Sequence, residues 1–457
     1  RPYVYRLAGE LGLTGFVLND PRGVLLEVEG SDTAVERFLA RLGPDAPPLA
    51  SIERVVAEDR EPIGHSTFQI VESRDGGAPD AQVTPDTATC DDCLRELFDP
   101  HDRRYRYPFI NCTNCGPRFT IVKGIPYDRP FTTMAGFRMC GPCRAEYDDP
   151  ANRRFHAQPN ACPACGPSAS LLLPGGGEAP TGGAPDAVAA AAAALREGRI
   201  VAVKGIGGFH LACQADDEAA VAALRARKQR EDKPFALMVA SLDAAGLLVR
   251  VGQGERPLLA SAARPIVLCP RLETAGVAPS VAPGAPELGV MLPYSPLHHV
   301  LLADFAGPAL VMTSGNVSDE PIAYRDEDAL ERLAGIADLF LVHDRPIQTR
   351  TDDSVLRVVA APDGARRVIL RRSRGYVPAS ITLPDAAERP ILACGAEQKN
   401  TFCVARGTRA WVGHHVGDLE NYETLLSFIE GVEHLERLFA VTPEVVAHDL
   451  HPEYLST

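Results

Sequence analysis

Four Cys-x-x-Cys pairs restrict what this chain can fold into: Cys90/Cys93, Cys112/Cys115, Cys140/Cys143 and Cys162/Cys165 are separated by 18, 24 and 18 residues. The symmetry of those intervals marks a duplicated unit. Shifting residues 90–117 by fifty places lays Glu96 on Glu146, Asp99-Pro100 on Asp149-Pro150, Arg103-Arg104 on Arg153-Arg154 and Gly116-Pro117 on Gly166-Pro167. Each copy brings four thiolates, the number a tetrahedral zinc ion takes, and each short turn aims two sulfurs at one point while its N–H groups offset their charge. The expected sets are Cys90, Cys93, Cys112 and Cys115 for one ion and Cys140, Cys143, Cys162 and Cys165 for the other. An interleaved pairing, first pair with fourth and second with third, uses the same residues. Disulfides, a redox dithiol or iron compete with zinc; the regular pairing and the lack of a secretory signal disfavour them. Four thiolates leave zinc no open position, so the expected role of the metal is to brace neighbouring domains. Cys213, Cys269, Cys394 and Cys403 stand singly and read as small hydrophobes.

At 457 residues the chain should hold three or four domains rather than one core. No run approaches the ~18 apolar residues of a membrane span. A net charge of −14 argues against a surface that tracks nucleic acid, while leaving room for a local basic cleft that holds phosphates. The expected partner is therefore small. Arg1 is not preceded by a charged-then-apolar leader, which with reduced cysteines points to the cytoplasm. Both ends read as cuts.

The patterning predicts a multidomain α+β and α/β protein. Residues 1–76 open with a helical stripe of Val4, Leu7, Ala8 and Leu11 that stops at Gly12. Strands follow at Thr14–Leu18 and Val24–Glu29, then a helix capped by Ser31 that carries Val35, Phe38, Leu39 and Leu42. Further strands are expected at Ile52–Ala57 and Thr67–Glu72. A Gly/Pro/Asp-rich stretch leads to the cysteine module, 86–170, and LPGGGEAPTGGAPDA is expected to separate that module from the next domain. That domain, 184–378, starts with an Ala-rich helix at 187–197 and the strand Ile200–Val203. A last unit, 388–457, has strands near Ile391–Cys394, Thr401–Ala405 and Ala410–Gly413 and a helix over Glu423–Phe439.

Chemistry-bearing residues concentrate between 204 and 374. KGIGGFHL follows a strand, and Arg225, Arg227, Lys228, Arg230 and Lys233 crowd into nine residues ahead of PFALMV. MTSGNVSDEP supplies hydroxyls and an amide after the strand Ala309–Met312. HDRPIQTRTDDSVLR brings Arg350, Asp352, Asp353 and Ser354, and ILRRSRGYVP adds Arg371, Arg372 and Arg374. Phosphate donors alternating with carboxylates able to orient Mg²⁺ suggest a nucleotide site. Read singly, a basic run is a solvated helix face, and His298 and His299 on an apolar stretch are core residues.

In this order the strings resemble a YrdC-like domain, which activates a carbamoyl group as an acyl adenylate. Arg1 and Asn19 resemble the acylphosphatase signature, an arginine fork for phosphate and an amide that aligns the attacking water. Together with the paired four-cysteine fingers and GAEQKNTFC…HHVGDLENYET…HDLHPEY, the whole chain resembles the HypF family, the carbamoyltransferases of nickel–iron hydrogenase maturation.

The resemblance implies a ferredoxin-like acylphosphatase domain, a duplicated zinc module, a YrdC-like α/β domain and a truncated actin-like ATPase-type domain. It implies that carbamoyl phosphate is dephosphorylated in the first domain and that the carbamate attacks ATP in the third, giving carbamoyl-AMP. The carbamoyl group then passes to the C-terminal cysteine of HypE. Carried onto this sequence, Arg1 and Asn19 serve the first step. Lys204 and His210 face the carbamoyl group. Arg225, Lys228, Arg230, Lys233, Ser314, Asn316, Arg350, Asp353, Ser354, Arg372 and Arg374 serve the nucleotide and its Mg²⁺, and Lys399 and Asn400 open the transferase core. The phosphate-cradling loop of the first domain and the metal-binding histidines of the last fall outside the sequence, so the expected activity is adenylation alone. A threonylcarbamoyl-adenylate synthase and a zinc-containing RNA-binding protein are the alternative readings.

Overall fold

The computed structural model describes residues 1–457 except 21, 22, 48, 51, 53, 72–82, 126, 319 and 363, together with the side chains of 19 and 20. In the first unit the strand Thr14–Asp20 is central. It pairs antiparallel with Gly23–Glu29 and parallel with Phe68–Ile70. Helices Pro2–Glu10 and Asp32–Leu42 cover one face, burying Val4, Leu7, Ala8, Phe38 and Leu42 against Val17 and Phe68. Leu39, expected in that stripe, is 40% exposed because it lies one position beyond Phe38, off the inward face.

The strand expected over Ile52–Ala57 does not form among the described residues there, and Val55 and Val56 are exposed. Charges on both sides of that short apolar run leave it no dry face, and the following segment is tied down otherwise. The Glu29 carboxylate accepts the N–H groups of Ile63 at 2.7 Å and His65 at 2.9 Å. The strand expected over Thr67–Glu72 is the shorter Phe68–Ile70, and Glu72 lies outside the described residues.

Among the described residues ten strands make one mixed sheet. In spatial order they are Gly364–Arg371, Val355–Ala361, Ile266–Pro270, Glu287–Met291, Ala236–Met238, Leu310–Ser314, Phe209–Gln214, Val201–Lys204, Leu339–His343 and Ala169–Leu172. Alternation along the buried strands builds two cores. Val201, Val203, Ala212, Met312 and Leu341 face one layer, and Ala202, Leu211, Cys213, Val311 and Phe340 face the other. Two features depart from the sequence reading. The strand Ala169–Leu172 directly follows the second cysteine repeat and joins this sheet, so the Gly/Pro-rich stretch after it is a loop inside the domain. The first cysteine repeat contributes Cys93, Leu97, Tyr107, Phe109 and Ile110 to the same core as the helices Ala187–Arg196 and Pro296–Phe305. The zinc module is thus part of the hydrophobic layer of the sheet.

The last unit pairs the long strand Ile381–Ala393 antiparallel with Cys403–Val412 and parallel with Val445–Ala447. Two strands expected at 401–405 and 410–413 are one, carried through Gly407. Helix Tyr422–Phe439 packs on them, capped by the Asn421 side chain on the Thr424 N–H at 2.8 Å. The core here includes Val83 from ahead of the first repeat and Phe119 and Val122 from between the repeats, beside Phe402, Trp411 and Leu435. No helix among the described residues is long and apolar enough to cross a membrane.

Candidate functional site

The eight paired cysteines assemble into two four-sulfur groups. In the first, Sγ distances are 3.6 Å for Cys90–Cys112, 3.8 Å for Cys112–Cys115 and 3.5 Å for Cys93–Cys115. In the second they are 3.7 Å for Cys140–Cys162, 3.8 Å for Cys162–Cys165 and 3.6 Å for Cys143–Cys165. All ligand atoms within each group lie inside 4.8 Å of one another. A tetrahedron with Zn–S bonds of ~2.3 Å has S···S edges of roughly 3.8 Å, so both groups fit a structural zinc ion with sequential pairing, and the interleaved pairing is excluded. Cys90 and Cys140 are the N-cap residues of helices Asp91–Phe98 and Gly141–Asp148, where the helix dipole favours a thiolate. Cys213, Cys269 and Cys394 are buried and Cys403 is half-buried; burial pushes the Cys269 thiol up to about 12, as suits an inert packing residue.

The repeats also exchange their arginines. Arg103 donates to Cys143 Sγ at 3.4 Å, and Arg104 donates to Glu146 at 2.5 Å and to the Ala161 carbonyl at 2.8 Å. Fifty residues on, Arg153 donates to Cys93 Sγ at 3.1 Å, and Arg154 donates to Glu96 and to the Asn111 carbonyl. Each finger thus neutralises the thiolates of the other. Burial would raise the Glu146 carboxyl, but Arg104 and Arg103 hold it down at about 2. Because the folded value is depressed, the pair stabilises fully above the ordinary carboxylate pKa and is lost as pH falls towards 2. Arg104→Ala breaks a largely buried pair and should destabilise the module by about 3 kcal/mol, measured as zinc release to a chromogenic chelator at a lower temperature.

The second assembly lies at one end of the central strands of the large sheet. Hairpin Val201–Lys204/Phe209–Gln214 turns through Gly205–Gly208, and a Cβ on Gly207 would lie 2.0 Å from Thr351 Oγ1. Glycine is required for that approach. The Lys204 ammonium is buried, donates to the His343 carbonyl at 2.8 Å and pairs with Asp326 at 2.6 Å. Burial lowers its pKa, and Asp326 opposes that. His210 Nε2 lies 2.9 Å from Asp353. The other Asp353 oxygen accepts from Arg374 Nε at 2.7 Å. Arg374 also donates to the Ala263 and Arg264 carbonyls at 2.8 and 2.9 Å, and its guanidinium stacks 3.4 Å from the centre of the Tyr294 ring. Burial alone would raise the Asp353 carboxyl, but Arg374 and His210 hold it far below the usual carboxylate range. Ser354 Oγ donates to the Arg374 carbonyl at 2.9 Å and accepts the Ser373 N–H at 2.8 Å.

Ser314 sits opposite His210 across the strand pair. The fully buried Lys228 ammonium donates to the Ser314 and Asn316 carbonyls at 2.8 and 2.5 Å and to Asn316 Oδ1 at 2.8 Å. Lys204, His210, Lys228, Ser314, Asn316, Asp353, Ser354 and Arg374 therefore form one neighbourhood. The other predicted residues sit around it. Arg225 donates to the Ser280, Arg230 and Glu231 carbonyls and stacks on Phe235. Arg230 donates to the carbonyls of Lys233 and Pro234. Arg350 pairs with Glu430 of the last unit at 2.8 Å, and Arg372 donates to the Val412 and Ala379 carbonyls at 2.7 Å each, joining two units.

Arg1 is the N-cap residue of the first helix. Asn19 pairs through its backbone with Val24, and its side chain lies outside the described residues. In the last unit Asn400 Nδ2 donates to the Cys394 and Ala396 carbonyls at 2.9 and 2.7 Å, which closes the loop that leads through Lys399. Tyr294, Asp326, His343 and Thr351 belong to the assembly and were not singled out by sequence. Their signal, if any, was adjacency to strings already marked, as with His343 at the head of HDRPIQTRTDD.

Two four-cysteine modules fused to a mixed α/β sheet with a buried cation and carboxylate network define a multidomain, metal-braced α/β protein. Family models match in the same order: acylphosphatase over residues 1–70, the HypF finger over 89–122 and 139–172, the Sua5/YciO/YrdC model described as telomere recombination over 193–373, and the HypF Kae1-like domain over 386–457. The carbamoyltransferase HypF2 of Cupriavidus necator is 50% identical over all of this chain, and HypF of Synechocystis sp. is 47% identical over all of it; the chain covers 58% of each. A crystal structure of full-length HypF in a phosphate- and nucleotide-bound form superposes with a TM-score of 0.91 at 47% identity, covering 100% of this chain and 59% of that one. HypF of T. kodakarensis gives a TM-score of 0.89 at 42% identity, with 100% and 58% coverage. The chain belongs to the HypF family, whose curated relatives are named carbamoyltransferases, and it spans 58% of the length of these relatives.

Proposed function

We propose that the chain carries the carbamate-activating, adenylate-forming part of a carbamoyltransferase that serves hydrogenase maturation. The observation that supports this most is the convergence of Lys204, His210, Lys228, Ser314, Asn316, Asp353 and Arg374 at one end of the sheet. In the proposed step a carbamate oxygen attacks the α-phosphorus of ATP, the bond to the bridging oxygen breaks, and pyrophosphate leaves with both electrons of that bond. Carbamoyl-AMP remains. Ser314 and Asn316 hydrogen-bond the adenylate or carbamoyl end. Lys228 fixes the turn that carries them, and Arg230 and Lys233 lie on the adjoining turn where phosphates and Mg²⁺ are expected. The buried Lys204 and the His210–Asp353 pair face the carbamoyl group, fixed in place before it arrives.

Carbamate decomposes in open water, so the reading requires it to be made nearby and shielded. Arg1 and Asn19 are proposed to act in its release from carbamoyl phosphate, and the last unit in transfer to the C-terminal cysteine of HypE. Purified protein given ATP, Mg²⁺ and carbamate formed from ammonia and bicarbonate should release pyrophosphate in proportion to carbamate, read by a coupled phosphate assay. Pyrophosphate release that depends on added threonine instead would assign the chain to threonylcarbamoyl-adenylate synthesis.

A further inference from the structure

Between the sheet domain and the last unit lies a polar cavity of about 160 Å³ that the proposed adenylation step does not use. One wall is the segment around Tyr324, Arg325, Gln348 and Arg350; the other is His414 and the helix residues Ser427, Glu430 and His434. His414, Ser427 and His434 are each at most 4% exposed. Their His414 Nε2, Ser427 Oγ and both His434 ring nitrogens have no hydrogen-bond partner among the described residues. Orphaned buried polar atoms from three places on one cavity wall are costly unless something fills the space between them.

The charge around the cavity selects what fills it. Glu430 is shared by Arg350 at 2.8 Å and Arg325 at 3.5 Å, and Glu433 faces Arg437 at 4.0 Å. Three guanidiniums against two carboxylates leave an excess of one positive charge. Burial, then Arg350, His415 and His434, pull His414 down to about 3, and burial with Arg437 pulls His434 down to about 4. Both rings are therefore neutral near pH 7 and able to donate N–H. Their planes are fixed, His434 against Phe119 and His414 against Phe402, and Arg325 and Arg350 both stack on Tyr324. The volume is room for roughly five waters at about 30 Å³ each, or one small planar anion with water.

We propose that this junction binds a small singly charged oxyanion of the carboxylate or bicarbonate type, held by Ser427, His414 and His434 and balanced by the guanidinium excess. The site goes beyond the adenylation reading and does not depend on it. Seated there, the anion ties the last unit to the sheet domain, because its donors come from one and two of the three balancing arginines from the other.

The test uses the whole chain and ¹³C-formate, with binding read from line broadening at pH 7. Wild-type protein should broaden formate saturably, bicarbonate should compete, and formamide, the neutral analogue, should not. Ser427→Ala should weaken formate about tenfold, the loss of one hydrogen bond to a charged group, and His434→Phe, which fills the cavity, should abolish the saturable part. Equal formate binding by wild type and Ser427→Ala, equal binding of formamide, or no saturable binding by wild type would each overturn the proposal. Ser427→Ala changes one hydroxyl, so the outcome stands even if His434→Phe does not fold.

Discussion

Cys112→Ser is expected to remove one zinc ion per chain and to lower carbamate-dependent pyrophosphate release on the order of a hundredfold, whereas Cys162→Ser removes the other ion with a smaller loss. The difference arises from what each finger touches. The first repeat reaches directly into the proposed adenylation site. The Thr89 N–H donates to the Tyr294 carbonyl at 3.1 Å, and Tyr294 is the ring on which Arg374 stacks. Phe109 packs edge-on against His343 at 5.1 Å, and the His343 carbonyl accepts from Lys204. Arg106 bridges Asp186 and Asp304 at 3.0 and 2.7 Å, clamping the start of one core helix and the end of another. The second repeat rests mainly on the first, through Tyr107 Oη donating to the Pro167 carbonyl and Thr113 Oγ1 donating to the Arg153 carbonyl. A displacement of about 1 Å in a positioned group can cost on the order of a hundredfold in rate. Zinc content by atomic absorption beside the rate checks the claim; equal losses from the two substitutions would show that the first finger does not position the site.

Asp353→Asn is expected to be the most damaging single substitution in the sheet domain. It leaves the Arg374 guanidinium buried without its charge partner, a loss of about 3–5 kcal/mol by the usual penalty for half a buried pair. It also removes the carboxylate that holds His210. The folded pKa of Asp353 is depressed, so its stabilisation is complete above the unfolded carboxylate pKa and disappears only in strong acid. Wild-type and variant denaturation midpoints should therefore differ by the same amount at pH 6 and pH 8. A gap that closes between those values would mean that a group titrating near neutrality, and not Asp353, carries the effect. Arg374→Lys tests geometry at constant charge: one ammonium cannot replace a fork that reaches Asp353 and two backbone carbonyls while stacking on Tyr294.

Much of the zinc module was legible in the sequence because a metal tetrahedron needs a fixed number of ligands at short spacing, and a repeat shows itself by subtraction. The reciprocal Arg103/Arg104 and Arg153/Arg154 exchange was visible only as matching letters; that each pair serves the other copy depends on how the repeats face one another, which spacing does not encode. In the sheet domain, strings bearing His210, Ser314 and Asp353 were found because they follow strands or carry alternating charge. Arg225 and Arg372 stood in the basic runs marked beside those strings, yet their guanidiniums bond backbone carbonyls, a use of cations that composition cannot separate from phosphate binding. The strand expected at 52–57 failed because local alternation competes with the sheet edge available, which is a tertiary matter. That the first finger shares a core with the sheet was illegible for the same reason: Phe109 and Tyr107 read as zinc-module residues until the fold brings them against Ala191 and Val203.

The central claim is that the Lys204 to Arg374 assembly makes an acyl adenylate from carbamate. The most direct measurement quenches the zinc-loaded chain after incubation with ATP, Mg²⁺, ammonia and ¹³C-bicarbonate and looks by mass spectrometry for AMP bearing one ¹³C-carbamoyl group. The account predicts that labelled species in wild type and its loss in Asp353→Asn. Folded, zinc-loaded, ATP-binding protein that yields no labelled adenylate would contradict it.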